Sequence, residues 1–403
     1  MTQFQPTAQN RRGNALEVLM IFFKLGLTSF GGPIAHLGYF HKELVTRRRW
    51  VSDSQFSQLL TICQFLPGPA SSQLGFTLGL MHAGWLGALA AFVAFTLPSA
   101  LILTGFAAFL PYLSDSAGAA VVHALKLVAV VIITDAVLTM LKNLCPDTSR
   151  KSIAIFSACL LLLTSAAWVQ WLVLVIGALA GVNFCRGTTT LADNTIAVGY
   201  SKLTGFLLFS AFLILLIGLP IIASHDSGIL TIINLFYQAG ALVFGGGHVV
   251  LPLLQDAVVS GGWMDNETFL AGYGAAQAVP GPMFTFSAYL GAFMPTSYHS
   301  TVTAGFALLA IFLPGLLLVA AALPTWQLFS RNALAASAIA GINASVVGLL
   351  GAALYDPVFV TSVTSAQDFA ICIIAFGLLR IWHLSPLAAI GWCVLASLLP
   401  TAL

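Results

Sequence analysis

The chain has 403 residues, of which 59% are hydrophobic and only 7% are Asp, Glu, Lys or Arg, and its formal net charge is +2. Soluble domains carry roughly 25% charged residues, so a soluble globular fold is excluded, and the charge balance gives no reason to expect a nucleic-acid partner. Apolar runs of spanning length recur, at Gly84 to Phe109, Ala119 to Leu141, Leu203 to Ile222, Thr301 to Leu323 and Leu334 to Leu354. About 20 apolar residues cross the hydrocarbon as a helix, and strands that alternate polar and apolar residues, the mark of a barrel, are missing. The expected class is an all-α polytopic integral membrane protein.

In chain order, residues 1–13 form a polar tail with Arg11 and Arg12 and no cleavable signal behind it, expected in the cytoplasm. Residues 14–29 and 33–46 flank the break Phe30-Gly31-Gly32-Pro33, and each is too short to cross comfortably. A basic loop follows, with Lys42, Arg47, Arg48 and Arg49 ahead of Trp50. Residues 54–66 and 69–82 flank a second break, Pro67-Gly68-Pro69, before the runs from Gly84 and Ala119. Ser114 and Asp115 are expected outside the cell, and Lys142, Arg150 and Lys151 inside. Two short segments, about 153–167 and 171–185, return to Arg186 and a polar cytoplasmic linker. The helix from Leu203 then exits at His225 and Asp226.

The rest repeats the first part. "SFGGPIAHLG" at 29–38 matches "VFGGGHVVLP" at 243–252, and Gln-x-x-Pro-Gly-Pro occurs from Gln64 and again from Gln277. Trp50 and Trp263 each precede the first proline of that turn by 17 residues. The counterpart of the basic loop has no Lys or Arg and carries Asp256, Asp265 and Glu267. Short basic loops stay in the cytoplasm, so the two copies are expected to have inverted topology. Arg331 and Arg380 then fall inside, and Asp356 and Asp368 outside. The expected organisation is a tail (1–13), a first repeat (14–142), a hairpin with linker (143–202), an inverting helix (203–227), a second repeat (228–355) and a C-terminal hairpin (356–403). The N-terminus is expected in the cytoplasm and the C-terminus outside, in the inner membrane of a bacterial cell. The two hairpins are expected to serve as packing or as surfaces of a homodimer.

Irregular backbone at membrane depth is tolerated only where protein encloses it or it lines a wet cavity. Gly and Pro also make packing kinks, but four breaks in two matched pairs point to a transport site. Pro33 and Pro69 sit where helices restart, so each break presents a helix N-terminus with unpaired N–H groups and a partial positive charge. Such ends bind anions, and transporters place them at the midplane. The expected site comprises Gly31, Gly32, Pro33 and His36, then Gln64, Gly68, Pro69, Ser71, Ser72 and Gln73, and in the second copy Gly245, Gly246, Gly247, His248, Gln277, Gly281 and Pro282. Met283, Phe284 and Thr285 replace the first copy's polar run, so the main polar contacts are expected in the first copy.

Membrane-embedded charge adds candidates. Lys24 lies roughly 15 Å into the first helix and seven residues before Gly31, and Lys126 lies one turn after His123. Both lysines are candidates for the substrate anion, with snorkelling to an interface as the alternative. His123 and Asp135 are candidates for proton coupling. No metal site or cofactor is expected: the six cysteines show no CxxC spacing, no HxxxH pair occurs, and nucleophile elbows, Walker loops and dinucleotide fingerprints are missing. Nor is an enzyme expected.

"FGGPIAHLGYFHKELV", Trp50 and "QFLPGPASSQLGFTLG" resemble the signature of the chromate ion transporter family, and "FGGGHVVLP" with "QAVPGP" resembles the second domain of its long-chain members. Gly247 stands where the first copy has Pro33. The resemblance implies an inner-membrane transporter that expels chromate, confers resistance and handles sulfate as a near-isostere. The expected partners are therefore a chromate or sulfate anion and the lipid bilayer. A proton-coupled importer or exchanger of sulfate, and a non-transporting membrane scaffold or sensor, are the alternative functions.

Overall fold

The computed structural model describes residues 13–112, 116–164, 168–185, 199–224, 228–326 and 333–402. The expectations for Arg11, Arg12, Ser114, Asp115, Arg186 with most of its linker, His225, Asp226 and Arg331 lie outside the described residues. Among the described residues there is no strand.

The first half opens with α1 (Ala15–Thr28), started by the Asn14 side chain, which accepts from the Leu16 N–H. After the Gly-Gly break comes α2 (Gly32–Phe40), which widens into a π-helical turn (His41–Arg47). Helix α3 (Asp53–Phe65) begins with a capping box between Ser52 and Gln55. At 14 and 13 residues, α1 and α3 reach about 20 Å, short of the roughly 30 Å hydrocarbon core.

Helix α4 (Ala70–Phe109) is two arms joined at Ala83 and Gly84, where the backbone leaves helical geometry and Gly84 has φ +65°. A Cβ on Gly79 would lie 2.4 Å from the Gly87 carbonyl oxygen, and the reverse holds too. Eight residues along a straight helix span about 12 Å, so arms 70–82 and 85–109 fold back on each other. The glycines are required because the two backbones touch. Then follow α5 (Ser116–Leu144), α6 (Thr148–Leu163), α7 (Trp168–Phe184) and α8 (Lys202–Ala223).

The second half copies this plan. Helix α9 (Ile229–Ala241) leads to its break, a 3-10 turn (Gly247–Val249), α10 (Val250–Gln255) and a second π turn (Asp256–Ser260). Helix α11 (Asn266–Ala278) is capped by Asp265, at the place equivalent to Ser52. A 3-10 turn (Met283–Thr285) leads into α12 (Phe286–Phe293). Then come α13 (Ser300–Ala322), α14 (Ala333–Ala353), α15 (Ala366–Arg380) and α16 (Pro386–Ala402). Helices α4, α5, α8, α13 and α14 are long and apolar enough to cross a membrane, and within α4 only the second arm has that length.

Packing follows the same symmetry. Helix α1 lies along α4 and α9 lies along α13. In both pairs a glycine allows the approach: Gly26 meets the Phe95 carbonyl, and Gly240 meets that of Ile311. Hairpin α6–α7 packs on α14, while α15 and α16 pack on α5. The former contact is made by small residues, with Gly177 and Gly181 against Gly341 and Ser345, and Gly348 against Ala154. Between helices in lipid, close backbone approach of this kind replaces the hydrophobic drive. Large apolar side chains remain exposed around the outside, such as Phe206, Ile214 and Ile217 on α8, as a lipid-facing surface requires.

Candidate functional site

The four breaks are tied together crosswise. Gly68 donates its N–H to the Val243 carbonyl at 2.7 Å, and Gly281 donates to the Ser29 carbonyl at 3.0 Å. Ser29 and Val243 hold equivalent places, each just ahead of Phe-Gly-Gly. Each Pro-Gly-Pro turn is thus bonded to the opposite repeat's Gly-Gly break, as a pseudo-twofold axis demands. Gly68 (φ +121°) and Gly281 (φ +104°) adopt conformations that disfavour any side chain. A Cβ on Gly68 would meet Gly315 at 2.9 Å, and one on Gly281 would meet Ser99 Oγ at 2.8 Å. Ser99 and Gly315 follow Pro98 and Pro314, the prolines inside α4 and α13.

The helix starts at these breaks differ from six of those elsewhere in the chain. Helix α2 starts after Gly31 and α4 after Pro69, neither with a side-chain cap; the short turns after Gly246 and Pro282 also lack one. By contrast Asn14, Ser52, Asp147, Ser201, Asp265 and Ser365 all cap their helices with a side-chain oxygen. Orphan N–H groups and the positive end of the macrodipole are therefore left free at the breaks. That contrast is not visible in any single motif.

In the first copy, buried polar groups surround these starts. Ser29, Ser71, Ser72, Gln73 and Thr96 are all at most 3% exposed. The Ser29, Ser72 and Thr96 hydroxyls and Gln73 Oε1 have no hydrogen-bond partner. Gln73 Nε2 donates to the Pro67 and Gly315 carbonyls, both at 2.9 Å, bracing the turn against α13. His36, 1% exposed, places Nε2 3.2 Å from the Ser29 carbonyl and Nδ1 3.5 Å from Ser71 Oγ. A carbonyl only accepts, so Nε2 carries the proton, and Nδ1 is left to accept from the Ser71 hydroxyl. Ser29 O thereby receives both Gly281 N–H and His36.

The second copy is more apolar and more fully paired. Thr285, equivalent to Ser72, donates to the Pro282 carbonyl at 2.7 Å. Gln277 reaches Met283 Sδ at 3.2 Å, and His248 Nδ1 lies 2.9 Å from the Tyr273 hydroxyl. Gly245 lies near Asn343, whose Oδ1 has no partner. Gly246 and Gly247 continue the break beneath it.

The remaining candidates lie elsewhere. Gln64 is exposed. Lys24 is also exposed: α1 buries Val18, Ile21, Phe22 and Leu25, and Lys24 points the other way. On α5, Lys126 Nζ is 3.2 Å from Glu267 and His123 Nε2 is 2.8 Å from Asp368. Asp135 Oδ1 is 2.5 Å from the Arg380 guanidinium, which also donates to Thr139. All three pairs join α5 to the second half. Among the described residues no group of three or more His, Cys, Asp or Glu could hold a metal.

Fold and site together define a multi-pass helical membrane protein built from two repeats, with broken helices converging from both. The family model described as "Chromate transporter" matches twice, over residues 16–182 and 230–398. The chain belongs to the chromate transporter family. A probable chromate transport protein of Synechococcus elongatus is 28% identical over 364 residues, covering 84% of this chain and 83% of the relative. The chromate transport protein of Cupriavidus metallidurans is 28% identical over 349 residues, covering 84% and 81%. An uncharacterized transporter of Methanocaldococcus jannaschii is 26% identical over 344 residues, covering 84% and 83%. No solved structure matches the chain.

Proposed function

We propose that the protein exports chromate, by alternating access at an oxyanion site built on the first repeat's two breaks. The observation that carries this reading is the pair of uncapped helix starts at Gly31 and Pro69 beside buried, unpartnered hydroxyls. Backbone N–H groups and hydroxyls are the donors a tetrahedral oxyanion needs. Ser72 and the amides after Pro69 are the contacts, with the Ser71 hydroxyl turned to His36 as a positioning group; Ser29 and Thr96 supply further donors. Gln73 shapes the turn. The crosswise bonds Gly68–Val243 and Gly281–Ser29 couple the two halves, so rocking of one repeat against the other re-forms both openings about one centre.

The charge of the cargo supports export. One elementary charge crossing 100 mV is worth about 2.3 kcal/mol, so a divalent anion leaving a negative-inside cell gains roughly 4.6 kcal/mol without ATP. The protein is placed in the bacterial inner membrane with its N-terminus inside and its C-terminus outside, chromate and the bilayer being its partners. The repeating unit extends through hairpins α6–α7 and α15–α16, which dock on equivalent helices of opposite halves. Proteoliposomes loaded with labelled chromate or sulfate test the direction. Chromate flux that follows an imposed potential supports export, whereas flux that needs a proton gradient makes the protein a coupled importer or exchanger. Absence of flux for both anions leaves a scaffold or sensor.

A further inference from the structure

The π turns His41–Arg47 and Asp256–Ser260 each border an open cavity, and the two cavities differ in charge and cover. The second, about 440 Å³, includes Asp256 and Asp356 and is walled by the end of α6 at Leu161, Leu162 and Thr164. The first, about 790 Å³, lies between α1 and the turn His41–Arg47, and among the described residues neither hairpin lines it. Its apolar wall is Met20, Ile21 and Leu25, and its charges include Lys24, Lys42 and Arg47. Arg47 and Arg48 are occupied by Glu43, at 3.1 and 2.7 Å, and Arg48 also reaches Glu17 at 3.3 Å. Lys24 and Lys42 have no acidic partner among the described residues.

An exposed lysine ten residues into a membrane helix is costly without a counter-charge. Helical side chains lean toward their own N-terminus. By that tendency Lys24, on α1, is directed back toward the start of its helix, and Lys42, on the returning segment, toward Phe40; both line the one groove. Leu16, Met20, Phe23 and Leu27 on the outer face of α1 are exposed beside them, a continuous apolar strip with a cationic pair at one side.

We propose that this groove holds an anionic phospholipid, its phosphodiester between Lys24 and Lys42 and an acyl chain along the outer face of α1. A free oxyanion would satisfy the lysines but leave the apolar wall uncovered; a lipid satisfies both. The site is separate from the buried cluster at the breaks and holds whether or not chromate is the cargo.

The test is native mass spectrometry of the purified full-length protein with phosphatidylglycerol or phosphatidylcholine added. The parent retains phosphatidylglycerol preferentially. Each lysine near a lipid headgroup contributes about fivefold, so Lys24→Gln with Lys42→Gln lowers that retention roughly thirtyfold. Lys24→Arg with Lys42→Arg keeps it, as does the control Lys151→Gln with Lys202→Gln. Undiminished retention by the Lys24→Gln/Lys42→Gln variant overturns the proposal. So does displacement of the lipid by millimolar chromate, which makes the groove a free-oxyanion site. Loss of a dimer mass with lipid retention unchanged also overturns it, making the groove an interface between copies.

Discussion

The two Pro-Gly-Pro turns share a backbone and differ in what surrounds it. Both place a glycine at positive φ, both donate that glycine's N–H to the opposite break, and both press against the residue after a helix-interior proline. Yet the first is followed by Ser71, Ser72 and Gln73, whereas the second is followed by Phe284, Thr285 and Phe286. Unpartnered buried hydroxyls collect at the first, while Thr285 at the second is bonded internally. Symmetry of backbone with asymmetry of side chain separates two jobs. The crosswise bonds need both copies, whereas the proposed anion contact draws on the first copy alone.

The largest effect is expected where the backbone itself is challenged. Gly68→Ala strains a left-handed residue and drives a Cβ into Gly315 backbone, a loss of roughly 2–5 kcal/mol when overpacking is added. Gly281→Ala is strained by its own positive φ but meets Ser99 Oγ at 2.8 Å, which can turn away, with Ser99 Cβ at 3.2 Å and the Phe95 carbonyl at 3.4 Å less crowded than the Gly315 backbone at Gly68. Detergent-phase thermal unfolding should rank Gly68→Ala well below Gly281→Ala, and equal losses would remove the asymmetry of the two turns. Next comes the hydroxyl pair. Ser72→Ala removes an unpartnered group, so stability holds while chromate flux falls about tenfold, the worth of a hydrogen bond of about 1.4 kcal/mol. Thr285→Ala does the reverse: it loses a satisfied bond of about 1 kcal/mol and keeps flux within about twofold.

Much of this was legible in the sequence. The repeated Pro-Gly-Pro, the matched Gly-Gly breaks and the basic loop with its acidic counterpart were enough for two copies of broken helices. The crosswise bonds were not legible, since their partners lie far apart in the chain and no local pattern records them. The π turns carry no sequence signature at all. Lys24 shows how a sound rule stops at a break: seven residues keep one face only while the helix continues, and α1 ends at Thr28, before Gly31. On α5, His123, Lys126 and Asp135 could be picked out as embedded charge, but their partners Asp368, Glu267 and Arg380 come from the other half of the chain.

Smaller effects sharpen the comparison further. Ser52→Ala and Asp265→Ala each remove one cap at equivalent places, and each should lower stability by about 1 kcal/mol with flux per folded molecule unchanged. The smallest expected change is Lys126→Gln. The Lys126 side chain is 12% exposed but its partner Glu267 is 65% exposed, so solvent screens the pair, which contributes about 1 kcal/mol, and flux should stay within about twofold. A collapse of flux there would move the anion contact from the first turn to α5.

The measurement that bears most directly on the site is a structure determined with chromate present, with the anion located by the anomalous scattering of chromium. A chromium peak within hydrogen-bond reach of the backbone amides after Pro69 and of the Ser72 hydroxyl is the predicted result. A peak beside Lys126, in the Lys24 groove, or at the second turn near Thr285, with none at the first, would contradict it.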